Sequence, residues 1–177
     1  VPMQAESDPD GHSGESGYYH IAAGMSAKEV REALYPMLDS LEGAYGINNH
    51  RGSKATTDRE VMRYVMEVLK ERKLFFFDSR TSPRSVAYEA ALLEGLESAF
   101  NSRFLDNESD RTKIAIQMAW ALDLARKKRI AAVICHLRPE TVSFLEDFAL
   151  DVSGGIHKSG VKLITLAQWA ECSKEDK

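Results

Sequence analysis

Four short apolar runs along this chain each end in a polar, chemically capable residue. Ala44-Tyr45-Gly46-Ile47 leads into Asn48-Asn49-His50, and Leu74-Phe75-Phe76-Phe77 into Asp78-Ser79-Arg80. Ser102-Arg103-Phe104-Leu105 leads into Asp106-Asn107, and Ile130 to Cys135 into His136. The runs have the length and composition of buried β-strands, and Ile130 to Cys135 has the unbroken apolar character of a strand covered on both faces. A fifth run, Val161 to Thr165, reads as a last strand.

Helical patterns separate the runs. Ser26-Ala27-Lys28-Glu29 is a capping-box signature opening a helix, with Val30, Leu34, Met37, Leu38 and Leu41 on one face and Pro36 as a candidate kink. Thr57-Asp58-Arg59-Glu60 opens a second, with Val61, Tyr64, Val65, Val68 and Leu69 turned inward. Pro83 opens a third that Gly95 ends. Ser109 or Asp110 caps the longest, whose inward residues are Ile114, Met118, Ala121, Leu122 and Ala125. Its C-terminal Arg126-Lys127-Lys128-Arg129 suits the negative end of the helix dipole, a simpler reading than a binding patch. Pro139-Glu140-Thr141 starts another helix, ending near Gly154-Gly155, and Leu166 to Glu171 a short final one.

Strict alternation of strand and helix predicts an α/β fold with parallel strands and crossover helices. The strands form either an open doubly wound sheet or the later part of a barrel whose first strands precede Val1. Either way their C-terminal ends share an edge, where such folds gather catalytic groups. The segment up to residue 25 is rich in Gly, Ser, Asp and Glu and reads as a mobile N-terminal segment or a loop over a site. Residues 26–177 read as one domain, incomplete at its N-terminus.

Composition narrows the function classes. The 177 residues carry a formal charge of -4, with Lys and Arg scattered, which argues against a nucleic-acid face. No apolar run approaches the ~20 residues that cross a bilayer. Two cysteines give no disulfide framework, and Cys135 reads as a small hydrophobe. Gly-rich phosphate loops, Gly-x-Ser-x-Gly, His-Glu-x-x-His and paired Cys-x-x-Cys are absent from the sequence, which disfavours nucleotide-dependent enzymes and serine hydrolases.

The strand ends carry the candidate chemistry. His50, preceded by two asparagines, suits a metal ligand or acid/base group, or a solvent-facing side chain. Asp78 and Arg80 either serve a site or form an ion pair, and Asp78 can also cap the next helix. Asp106 and Asn107 share that ambiguity as good caps. His136, ending the most hydrophobic run, suits a general acid or base near neutral pH.

Taken together, Gly46-Ile47-Asn48-Asn49-His50-Arg51-Gly52-Ser53, Phe75-Phe76-Phe77-Asp78-Ser79-Arg80-Thr81, Phe104-Leu105-Asp106-Asn107 and Ile134-Cys135-His136 resemble the divergent polysaccharide deacetylase family, related to the NodB-type carbohydrate esterases. Val1-Pro2-Met3-Gln4 is similar to that family's His-x-Pro-Met-Glu segment, with the histidine falling before Val1. The resemblance implies an irregular (β/α) barrel and a divalent metal, commonly zinc, whose activated water hydrolyses the N-acetyl group of an amino sugar. It implies His50 as metal ligand and His136 as general acid, with Asp78 and Arg80 as their catalytic supports. Asn49, Ser79, Asp106 and Asn107 then take substrate-side roles on a polysaccharide or oligosaccharide, in an extracytoplasmic (periplasmic or secreted) setting.

Departures from the pattern bear on activity. The family's first-strand Asp-Asp pair has no match here, Arg51 stands where the family has Met, and Cys135 where it has Gly. The alternative is therefore a catalytically silent carbohydrate-binding or scaffold protein of the same fold, or hydrolysis of another amide or ester.

Overall fold

The computed structural model describes residues 1–7, 20–151 and 154–169. They fall into two compact units, Val1–Phe100 with the residues from Ala167, and Asn101–Leu166. Residues 26–177, which the sequence presents as one domain, thus contribute to both. The segment expected to be a mobile loop lies mostly outside the described residues.

In the first unit, α1 (Ala27–Asp39) starts at the predicted capping box. Ser26 Oγ accepts the Glu29 N–H at 3.3 Å, and the Glu29 carboxylate accepts the Ser26 N–H at 2.8 Å. The helix runs through Pro36. The next helix, α2 (Arg59–Glu71), begins one residue later than the capping-box pattern implies. Asp58 is its cap, accepting the N–H groups of Glu60 and Val61, both at 3.1 Å. Thr57 instead closes a short 3-10 turn and donates to the Lys54 carbonyl. The inner faces of the two helices bury Val30, Leu34, Leu38, Val61, Met62, Val65, Met66, Val68 and Leu69 in one cluster. Each such side chain contributes roughly 1.5–3 kcal/mol on leaving water. Leu41, expected on this face, lies past the helix end and is exposed.

A parallel sheet carries the same core. Its strands are β2 (Gly46–Asn48), β4 (Phe75–Asp78) and β5 (Ser98–Phe100), in the order β2-β4-β5. Phe76 and Ile47, paired in register, both enter the cluster. Gly46 is required for the pairing, because a Cβ there would lie 2.4 Å from the Phe75 carbonyl oxygen. The helix after β4 is shorter than expected: α3 spans Ala87–Leu93 and Pro83 precedes it by a turn. A separate pair joins β1 (Pro2–Met3) to β3 (His50–Arg51), also parallel, with Met3 bridged to Ile21.

The second unit pairs β6 (Arg103–Phe104) with β7 (Val133–Ile134) in parallel. Asp110 caps α4 (Arg111–Lys128), accepting the Lys113 N–H at 2.9 Å. Leu105, Ile114 and Met118 meet Phe144 of α5 (Pro139–Leu150) in a core that Leu122 and Val133 border.

Two expected strands differ. Ile130 to Cys135 pairs over only two residues and is half-buried throughout, not covered on both faces. It has one strand neighbour among the described residues, so half its ladder groups are left to other partners. Val161 to Thr165 forms no strand. No described strand lies beside it, the Val161 N–H is bonded to Ser159 Oγ at 3.0 Å, and Leu163 is exposed. Residues 166–169 are helical, and the remainder of the final helix lies outside the described residues.

Parallel strands separated by helices make this a mixed α/β fold. Among the described residues the strands form three separate sheets rather than a closed barrel. No helix of the described residues is long and apolar enough to cross a membrane.

Candidate functional site

Register determines what meets at the strand ends. In the second unit Arg103 pairs with Val133 and Phe104 with Ile134. Two residues further along each strand, that alignment brings Asp106 opposite His136. The Asp106 side chain is fully buried and every bond to it points the same way. Its Oδ1 meets His136 Nδ1 at 2.9 Å, while Oδ2 accepts the His136 backbone N–H at 2.7 Å and the Thr141 hydroxyl at 2.9 Å. Arg138 Nη1 donates to the Asp106 carbonyl at 2.6 Å. Burial pushes the Asp106 pKa up, but the hydrogen bonds from the His136 ring, its backbone and Thr141 together outweigh it, holding the carboxyl below its ordinary value.

The imidazole itself is about half exposed, at 53%. A carboxylate accepting at Nδ1 fixes the proton there and leaves Nε2 to exchange a proton with a ligand. The arrangement suits acid/base chemistry. Sequence reasoning placed both residues at strand ends but missed Thr141. It lies in the Pro139-Glu140-Thr141 helix start, is fully buried and completes the carboxylate's bonding. Cys135 is half-buried, and burial, reinforced by the Asp106 charge, pushes its thiol up. That is the environment of an inert thiol.

In the first unit the ends of β2 and β4 are tied by asparagines. Asn49, 1% exposed, accepts the Ser79 N–H through Oδ1 at 2.8 Å and donates through Nδ2 to the Arg51 carbonyl at 2.9 Å. Asn48 Nδ2 donates to Ser79 Oγ at 3.1 Å, and Thr81 Oγ1 donates to the same Arg51 carbonyl at 2.7 Å. These bonds pin the turn in which Arg51 takes φ 58 and Gly52 φ 91. His50 emerges from that turn as an exposed residue of β3.

Asp78, fully buried, resolves between its two structural alternatives. Its Oδ1 accepts the Arg80 backbone N–H at 2.8 Å, and its Oδ2 accepts the Ser85 hydroxyl at 2.8 Å and the Tyr88 N–H at 3.3 Å. The carboxylate thus serves the N-terminus of α3, whose own cap position, Val86, offers no side-chain oxygen. The alternative, an ion pair with Arg80, is not what forms. The Arg80 guanidinium lies 3.7 Å from the centroid of the Phe100 ring, a cation–π contact, on a backbone at φ 47.

Asn107 is exposed and lines a polar groove of about 270 Å³ in the second unit, with Arg103, Glu108, Lys113 and Gln117. Among the described residues no three His, Cys, Asp or Glu side chains are grouped to hold a metal ion. His50 offers one imidazole. A single donor does not make a zinc site, which takes three or four, so the described donor set does not by itself fit the metal that the resemblance implies.

The sequence model of the divergent polysaccharide deacetylases matches residues 1–170. The chain belongs to the divergent polysaccharide deacetylase family. Among curated proteins, this family member is similar to an uncharacterized protein of Haemophilus influenzae. The two are 39% identical over 132 residues, which is 75% of this chain and 46% of that protein. It is also similar to the uncharacterized protein YibQ of Escherichia coli, 33% identical over 128 residues, covering 72% of this chain and 40% of YibQ. The chain therefore spans less than half the length of these relatives. In fold it is similar to the crystal structure of uncharacterized protein ATU2773 from Agrobacterium tumefaciens C58. The TM-score is 0.76 at 19% identity, over 86% of this chain and 61% of that one.

Proposed function

We propose that this deacetylase-family chain is part of a hydrolase that removes N-acetyl groups from the amino sugars of a polysaccharide. The observation carrying the proposal is the Asp106–His136 pair, a buried carboxylate fixed on Nδ1 of a half-exposed imidazole. In amide hydrolysis water adds to the acetyl carbonyl and the C–N bond then breaks. The departing nitrogen needs a proton to leave as an amine, with acetate as the other product. His136 supplies that proton from Nε2, and Asp106 holds the ring while it does so.

His50 is the proposed ligand of a divalent metal, zinc by family resemblance. The described residues do not by themselves complete such a site. Asp78 and Arg80 act by fixing the β4–α3 connection, and Asn49 and Ser79 by tying it to the His50 turn. Asp106, fully buried and bonded to His136 and Thr141, acts through the imidazole rather than on the sugar, and Asn107 with the groove it lines faces the sugar. The fold that goes with this reading is the irregular (β/α) barrel of the polysaccharide deacetylases, and the setting is extracytoplasmic.

The test is acetate release from N-acetylglucosamine oligosaccharides by the full-length protein. His136→Ala should lower turnover about 10²–10⁴-fold, the range for a general acid, with metal content unchanged. Unaltered turnover removes the acid role. Elemental analysis should find an ion that His50→Ala loses. An unchanged content on that substitution would count against the metal assignment. The second reading is a catalytically silent carbohydrate-binding protein of the same fold, consistent with the incomplete donor set among the described residues and distinguished by glycan binding without acetate release.

A further inference from the structure

Beyond the dyad, one feature of the second unit has the makings of a ligand site. The polar groove of about 270 Å³ is lined by Arg103, Leu105, Asn107, Glu108, Lys113 and Gln117. Leu105 and Asn107 are the residues on either side of Asp106 in the chain, while neither Asp106 nor His136 lines the groove. Its size lies just below the roughly 300 Å³ at which small-molecule sites begin.

The charges in it are unequal. Lys113 is ion-paired with Glu108, and these two cancel. Arg103 is half-buried, and among the described residues no carboxylate pairs with it. Its guanidinium is held in place by neutral groups. Nη1 donates to Gln117 Oε1 at 2.8 Å, and the guanidinium carbon lies 3.9 Å from the centroid of the Trp120 ring. A guanidinium has five N–H donors in a rigid fork that matches a carboxylate, and stacking on an aromatic ring orients it without consuming them. The stack also covers that face of Trp120, which is then not free as a platform for a neutral sugar ring.

We infer that this groove binds a glycan residue carrying a carboxylate, a uronic-acid type of sugar, with Arg103 as its recognition residue and Asn107 and Gln117 toward the hydroxyls. The one uncompensated positive charge matches a monoanionic carboxylate better than a phosphate dianion. The inference rests on the proposed carbohydrate function and narrows its substrate to an acidic glycan.

Calorimetric titration of the full-length protein with an oligogalacturonate, against a neutral chitin oligosaccharide of equal length, tests it. The acidic glycan should bind more tightly. Arg103→Gln should weaken that binding about tenfold, the loss of one charge-assisted hydrogen-bond pair, while leaving the neutral glycan unchanged. Lys113→Gln, on the exposed rim, should weaken it less and guards against a folding defect at Arg103, which thermal melts of both variants also monitor. Equal binding of acidic glycan to wild type and Arg103→Gln overturns the inference. So does displacement by millimolar inorganic phosphate, which would mark a plain anion site. Acidic-glycan binding without acetate release from any substrate would leave the groove standing and sink the hydrolase. Acetate release from an N-acetylated glycan that also carries uronic acid, if indifferent to Arg103→Gln, would do the reverse.

Discussion

Asp106→Asn is the substitution that bears most directly on how the dyad works. The variant is nearly isosteric, so packing against Leu105 and α5 is preserved and only the bonding changes. The carboxylate receives three hydrogen bonds, two of them on Oδ2 from the His136 N–H and Thr141 Oγ1. An asparagine keeps those two by placing its oxygen there, and its amide nitrogen then faces His136 Nδ1. Two donors cannot share that contact, so the imidazole gives up the Nδ1 proton and carries it on Nε2. One charge-assisted bond is lost, about 2 kcal/mol, which at ~2–4 °C per kcal/mol lowers Tm by about 4–8 °C. Because the Asp106 carboxyl titrates below its ordinary value when folded, its stabilisation is present above the usual carboxylate range, near pH 4, and fades as pH falls through its own lower value. The gap in stability between wild type and variant should therefore narrow in acid. ¹⁵N spectra of the His136 ring should show the two nitrogens exchanging their protonated character, and acetate release should fall at least a hundredfold. A variant with Tm within about 1 °C of wild type and unchanged ring ¹⁵N shifts would refute the reasoning, whatever its activity.

Other substitutions probe the framework. Phe76→Ala, at a fully buried position in the central strand of the β2-β4-β5 sheet, should cost about 3–5 kcal/mol in urea unfolding. Gly46→Ala drives a methyl onto the Phe75 carbonyl oxygen and should destabilise by about 1–3 kcal/mol, with slowed-exchange protection lost first at the β2–β4 amides. Asn49→Ala removes the side-chain acceptor of the Ser79 N–H and one of two donors to the Arg51 carbonyl, which keeps Thr81 Oγ1, and should cost about 1–3 kcal/mol, whereas Asn48→Ala should cost less because Asn48 is exposed. Glu71 is held at a pKa of about 2 by hydrogen bonds from Arg31 and Tyr35, so a carboxyl ¹³C titration should place its midpoint there and Arg31→Met should move it up toward the ordinary value.

Much of this protein is legible from local chemistry. The Ser26–Glu29 box, the Asp110 cap and the apolar stripes of α1, α2 and α4 sit in contiguous sequence, because a helix satisfies its own backbone within a few residues. The strand ends carrying His50, Asp78, Asp106 and His136 are likewise visible, since an apolar run stopped by a polar residue needs no partner to be recognised. What tertiary structure alone decided is which of those residues touch. β1 and β5 are two and three residues long and carry no periodicity, so they exist only because a neighbour offers a ladder. Val161 to Thr165 has strand composition and no such neighbour among the described residues. Asp106 and His136 are 30 residues apart and meet because β6 and β7 pair in one register; a slip of one residue would set the carboxylate against a backbone instead of an imidazole. Asp78 could have paired with Arg80 or capped a helix, and the outcome turned on where the N–H groups of α3 came to rest. Helix caps are settled by neighbours along the chain, while parallel strands are brought together by segments far apart in it, and the dyad belongs to the second kind.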